Sequence, residues 1–230
     1  MRISESCSFY SRLKNKISRD DVRIIIGICK ELCLPQKTLS FSCFSFFAAK
    51  EEIRIEPDDV ILVTAAINLA CRACETGRSV EKILHMAARE YSIEIDSNTI
   101  EMYLKSVNRT EMDISMGIDF NFQVTEIYSE LERFCKQQKL DPIISKKCWI
   151  LLNDIMATPL CVFFMPLEMI CSVVFLSYAT AICDELDTGA SDYQVFLKIF
   201  YEKIVFKPAY WPAIKFISGE ILEIYDSELV

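Results

Sequence analysis

The stretch LCVFFMPLEMICSVVFLSYATAIC, Leu160 to Cys183, is 24 residues long and carries one charge, Glu168. A segment of this kind either crosses a bilayer or forms the centre of a helical domain. A span needs about 20 consecutive apolar residues. Pro166 fits only the first turn of a helix, because it lacks the N–H that interior positions must donate. A helix beginning there has 18 residues left before Asp184, and Glu168 is one of them. An ionised carboxylate deep in a bilayer costs about 3 kcal/mol or more. Basic residues usually anchor the cytoplasmic end of a span, yet Asp184, Glu185 and Asp187 follow at once and the nearest lysines are Lys147 and Lys198. The stretch therefore reads as a buried helix, apolar on all sides, which needs helical neighbours on all sides.

The rest of the chain supplies them. Apolar spacings of three and four recur along most of its 230 residues, the signature of amphipathic helices. Val22, Ile25, Ile26, Cys29 and Leu32 form one stripe behind an acidic start, and Pro35 stops it. A second helix is expected from Gln36 to Glu51. Pro57 opens a third, DDVILVTAAINLACRACE, apolar almost all round, with Gly77 as its expected terminator. Ser79 caps a fourth, and a fifth runs from about Asp96 to Ile118. The pattern then repeats through FQVTEIYSELERFCKQQ, a helix opened by Pro142, the greasy stretch, SDYQVFLKIFYEK and PAIKFISGEILEIYD. A shift of 107 residues carries Pro35 onto Pro142 and Leu69 onto Leu176. The expectation is an all-α protein of two tandem five-helix bundles, each around a buried third helix. Residues 1–18 form an N-terminal helical extension, 19–120 the first bundle and 121–230 the second.

Composition narrows the function. Five Gly and seven Pro are too few for a protein built of many hairpins. A net charge of −8 disfavours binding to nucleic-acid phosphates or anionic lipid. Eleven cysteines lie mostly within apolar helical patterns, where a free thiol packs as a small hydrophobe. MRISESCSFYSRLKNK lacks the apolar centre of a secretory signal, so a reducing, intracellular setting is expected. The one C-x-x-C, Cys71 to Cys74, has no second pair or histidine at zinc spacing; neither metal nor cofactor is expected. With His85 as the single histidine and no glycine-rich phosphate loop, no enzymatic reading holds.

Several motifs, in order, resemble those of the cyclin family. LACRACETGRSVEKIL (Leu69 to Leu84) is similar to the cyclin-box stretch that usually reads L-A-[SA]-K-x-E-E-x-P-R. EMDISMGIDFNF (Glu111 to Phe122) resembles the ending of the fifth box helix, and CLPQKTL the turn before the second. CWILLNDIMATPLCVFFMPLEMICSVVFLSYA resembles the second box of the transcription-type cyclins, the K, L, T and C group. The resemblance covers about residues 15–226. This chain departs from it where the usual lysine is Arg72, the first acid of the E-E pair is Cys74, a frequent arginine is Ala48 and a glycine is Asp119.

The resemblance implies a non-catalytic regulatory subunit that pairs with a cyclin-dependent kinase, probes neither nucleic acid nor membrane directly, and works in the nucleus on RNA polymerase II transcription. It implies that Arg72 donates to kinase backbone carbonyls and Glu111 accepts from kinase amides. Leu69, Ala73, Ile114, Ser115, Ile118, Phe120 and Phe122 match the apolar kinase-binding pocket between them. Opposite charges on neighbouring helices are also expected to pair with each other. Two other readings share the fold: a basal transcription factor built on the same two-repeat architecture, and a helical adaptor that has lost kinase activation.

Overall fold

The computed structural model describes residues 3–14, 17, 19–52, 58–122, 126–185 and 208–228. Every regular element among them is helical. The chain divides into two compact units, Phe9–Thr125 and Glu126–Val230, the latter taking in Met1–Ser8.

After α1 (Ile3–Lys14), the first unit contains α2 (Arg19–Glu31), α3 (Gln36–Glu52), α4 (Asp59–Ala73), α5 (Val80–Glu90) and α6 (Ile100–Gly117). Helix α4 is its axle. Every residue from Val60 to Cys71 is buried, and α2, α3, α5 and α6 all pack against it. Ala65, Ala66 and Ala70 have no exposed surface, and such small side chains let neighbouring helices approach closely. Helix α3 lies along α4 and brings Phe41, Phe46 and Phe47 into the core.

Small hydroxyls are also buried there, and those of Ser42 and Thr64 are satisfied within their own helices. Ser42 Oγ donates to Thr38 O at 2.8 Å and Thr64 Oγ1 to Val60 O at 2.7 Å. This bond to the carbonyl four residues back lets a polar residue sit inside a helical core without losing a hydrogen bond. The cysteines pack alongside. Burial pushes the Cys29 thiol up to about 12 and raises Cys43, so both stay protonated at neutral pH.

The second unit holds α7 (Ile127–Gln137), α8 (Pro142–Met156), the short α9 (Leu160–Phe163), α10 (Pro166–Glu185) and α11 (Trp211–Glu228). The 107-residue shift carries α2, α3, α4 and α6 onto α7, α8, α10 and α11. The counterpart of α5, the amphipathic SDYQVFLKIFYEK, lies outside the described residues, as does Pro57. The greasy stretch is not one helix but two: Phe164 is extended and Pro166 starts α10. Glu168, the one charge of this stretch, has a local task. Its Oε2 accepts from the Met165 N–H at 2.9 Å, half of a capping box in which an acid in the first turn satisfies an orphan donor and complements the helix dipole. Helix α10 packs on α8 and α11. No helix among the described residues is long and apolar enough to cross a membrane.

Helix ends correct one sequence expectation. Helix α4 stops at Ala73 rather than at Gly77, and the left-handed residue that stops it is Glu75, at φ 55°. The Thr76 N–H closes back on Cys71 O at 2.8 Å and the Glu75 N–H on Arg72 O at 3.1 Å, the paired bonds of a Schellman motif. Cys33, Ser92, Asp119 and Lys139 take the same left-handed position at the ends of α2, α5, α6 and α7. Glycine usually fills this place because it has no Cβ to clash. A chain with five glycines caps these helices without it.

One buried polar bond carries a stability prediction. Asp21, in the first turn of α2, is buried, and its Oδ1 accepts from the Tyr91 hydroxyl at 2.7 Å. Burial, reinforced by this carboxylate, raises the Tyr91 pKa. Tyr91→Phe keeps the ring and removes the donor, leaving a buried carboxylate oxygen without it. Denaturant unfolding is expected to show a loss of about 1–3 kcal/mol.

Candidate partner-binding site

The residues singled out from the sequence lie where the last turn of α4 meets the C-terminal half of α6. Between Val60 and Ala73, Arg72 is the single exposed residue. It breaks an otherwise apolar helix at its C-terminal turn, where a cation also suits the helix dipole. Glu111 projects from α6. Arg72 Nη1 lies 3.3 Å from Glu111 Oε1, so the two side chains pair as expected. The pair is asymmetric: the Arg72 side chain is 63% exposed and that of Glu111 is 9% exposed.

A third residue completes the arrangement. Asn68, one turn before Arg72, is buried, and its Nδ2 donates to Glu111 Oε2 at 2.7 Å. Glu111 therefore has one carboxylate oxygen held by an interior amide and the other by a surface guanidinium. The sequence reading missed Asn68. Its available signal was the i, i+4 spacing to Arg72, which places both side chains on one face of α4.

The apolar positions separate by depth. Leu69, Ile114, Ser115 and Ile118 are buried, and Ser115 Oγ donates to Glu111 O at 2.8 Å. Ala73 and Phe122 are half-buried, with Phe122 edge-on to Phe41 at a ring separation of 5.7 Å. Phe120 is 55% exposed. The structure adds Met112 and Met116, exposed one turn apart on α6. Exposed methionines are adaptable apolar side chains that can pack against varied surfaces.

The end of α6 fixes this geometry. Asp119 and Phe120 are both left-handed, at φ 51° and 52°. The Phe120 N–H bonds Ser115 O at 2.8 Å and the Asp119 N–H bonds Met116 O at 3.0 Å. Past this turn Phe120 is exposed and Phe122 packs on Phe41. Asp tolerates the left-handed region better than most residues but less well than glycine. Asp119→Gly is expected to raise the unfolding free energy by up to about 1 kcal/mol, read as a higher denaturation midpoint.

The cysteine pair nearby is placed differently. Cys71 and Cys74 are buried free thiols, both raised by burial. Among the described residues no three His, Cys, Asp or Glu side chains group to hold a metal ion.

No protein-family model and no curated protein match this chain. Solved structures do. A chain of the yeast RNA Pol II CTD kinase CTDK-1 complex superposes with a TM-score of 0.67 at 16% sequence identity, over 89% of this chain and 64% of that one. The present chain thus spans less than two thirds of that neighbour's length. At this identity the likeness establishes a shared helical fold.

Proposed function

We propose that this chain is a cyclin-like, non-catalytic regulatory subunit that binds a cyclin-dependent protein kinase and activates it, in the nucleus and in RNA polymerase II transcription. The observation that carries the reading is the Arg72–Glu111 pair, 3.3 Å apart and open to solvent on the arginine side, on a fold shared with a chain of a kinase complex. The order of cyclin-like motifs along the sequence supports the same reading.

The mechanism is one of position. A kinase helix carrying a catalytic glutamate must be held inward so that the glutamate pairs with the ATP-binding lysine. The chain holds it through backbone groups: Arg72 donates to carbonyls at the helix end, and Glu111 accepts from amides. Phe120, Met112 and Met116 cover the apolar face of the kinase segment, and Ala73 leaves room beside them. Leu69, Ile114, Ser115, Ile118 and Phe122 form the floor that keeps these groups in place. No bond is made or broken by the chain, which acts by binding one kinase conformation better than another. Turning such a switch from mostly off to mostly on takes about 5.5 kcal/mol of differential binding. The acidic balance of the chain, −8 overall, favours this over promoter binding.

Affinity purification of the full chain from its own cells, followed by a kinase assay with and without the chain, tests the proposal. The expected result is a co-purifying protein kinase whose activity rises when the chain is added back. Tight DNA binding at moderate salt with no kinase captured would overturn it in favour of the transcription-factor reading.

A further inference from the structure

We infer that Asn68 is a positioning residue of the binding site: it holds the Glu111 carboxylate from inside so that Arg72 is free to leave Glu111 and engage a partner. This rests on the kinase-subunit reading of the same site.

A buried carboxylate stripped of its cation is strongly disfavoured unless other donors remain. If Arg72 were the sole support of Glu111, turning it toward a partner carbonyl would strand a carboxylate whose residue is 7% exposed. Asn68 removes that obstacle. Its amide donates to Oε2 at 2.7 Å, the oxygen that Arg72 does not use, so this bond does not depend on Arg72. Arg72, by contrast, reaches Oε1 through Nη1 at the longer distance of 3.3 Å, and its side chain is mostly in water. The inner bond is short and sheltered; the outer one is long and exposed.

Docking is then an exchange. Arg72 swings outward to donate to the partner's backbone carbonyls, and a partner N–H replaces it on Oε1. Glu111 keeps two hydrogen-bonding partners throughout. The occupant must offer both a free N–H and free C=O groups within one short segment, which a helix C-terminus supplies through its last carbonyls together with an N–H of the loop that follows. An apolar residue at position 68 changes the balance. Glu111 would then hold Arg72 as its only donor, and the arginine would be retained rather than released.

The test has a partner-free arm and a binding arm. In the isolated chain, side-chain hydrogen exchange by NMR is expected to show the Asn68 carboxamide protected and the Arg72 guanidinium exchanging fast. Fast exchange at Asn68 overturns the inference whatever partner is later found. In the second arm, the affinity of the co-purified kinase is measured for the native chain, Asn68→Leu, Arg72→Ala and the double variant, with the unfolding midpoint of each. Asn68→Leu is expected to weaken binding by about tenfold, the scale of one hydrogen bond to a charged group. In that background Arg72→Ala should cost less than in the native chain, because the arginine no longer reaches the partner. Losses that simply multiply, or native affinity in Asn68→Leu where Glu111→Gln and Arg72→Ala do weaken binding, overturn the inference. A failure confined to the kinase reading looks different: Asn68 is protected in the free chain while Glu111→Gln, Arg72→Ala and Asn68→Leu all leave kinase capture unchanged.

Discussion

Phe41→Ala is expected to lower the unfolding free energy by about 3–5 kcal/mol, the range for deleting a fully buried aromatic ring. Phe41 has no exposed surface. Its ring stacks on Phe44 at 5.8 Å and meets the edge of Phe122 at 5.7 Å. Removing it therefore forfeits the transfer of the ring from water and two aromatic contacts, and it opens a cavity among side chains that cannot fully collapse. Thermal unfolding should show the midpoint falling by about 10 °C. The consequence reaches the candidate site, because Phe122 closes the turn that follows α6 and loses the ring it rests on. Phe41→Leu, which keeps most of the volume, should recover much of the stability.

Glu111→Ala is expected to weaken kinase binding by about 2–5 kcal/mol, the range for truncating one partner of a buried charged contact at an interface. That corresponds to roughly thirty-fold to four-thousand-fold in Kd. The size follows from burial. Glu111 is 7% exposed and accepts from Asn68 and Arg72, so its loss leaves a buried amide without an acceptor and a guanidinium without its counter-charge. Titration of the purified kinase against both chains measures the effect, with the unfolding midpoint of each recorded beside it. Glu111→Gln separates charge from shape: it keeps an acceptor oxygen in place and should lose less than the alanine. Native affinity in Glu111→Ala would remove this residue from the proposed interface.

Much of the helical architecture was legible because it is written in spacing. The stripe from Val22 to Leu32 became α2, Pro35 preceded α3, and Ser79 caps α5, accepting from the Lys82 N–H at 3.4 Å. The burial of α4 followed from its being apolar on all faces. The pairing of Arg72 with Glu111 was legible as well, since opposite charges on packed helices find each other.

What could not be read depended on side-chain direction in three dimensions. Asn68 and Glu111 are 43 residues apart, and no local pattern links an asparagine in an apolar run to an acid on another helix. Gly77 is the expected terminator because glycine usually is one; the backbone instead places Glu75 in the left-handed position. The depth of the apolar positions was equally hidden. Ile114 and Phe120 are both large and apolar, yet one lies in the core and the other in solvent. Ile114 lies within α6, whereas Phe120 lies past its end in the left-handed turn that begins at Asp119, and the sequence offered only an aspartate to mark that turn.

Hydrogen exchange of the chain, free and bound to its co-purified kinase, tests the central claim most directly. Added protection is expected at the C-terminal turn of α4, around Arg72, and from Glu111 to Phe120 at the end of α6. Protection that leaves both segments unchanged while the kinase is bound would contradict it.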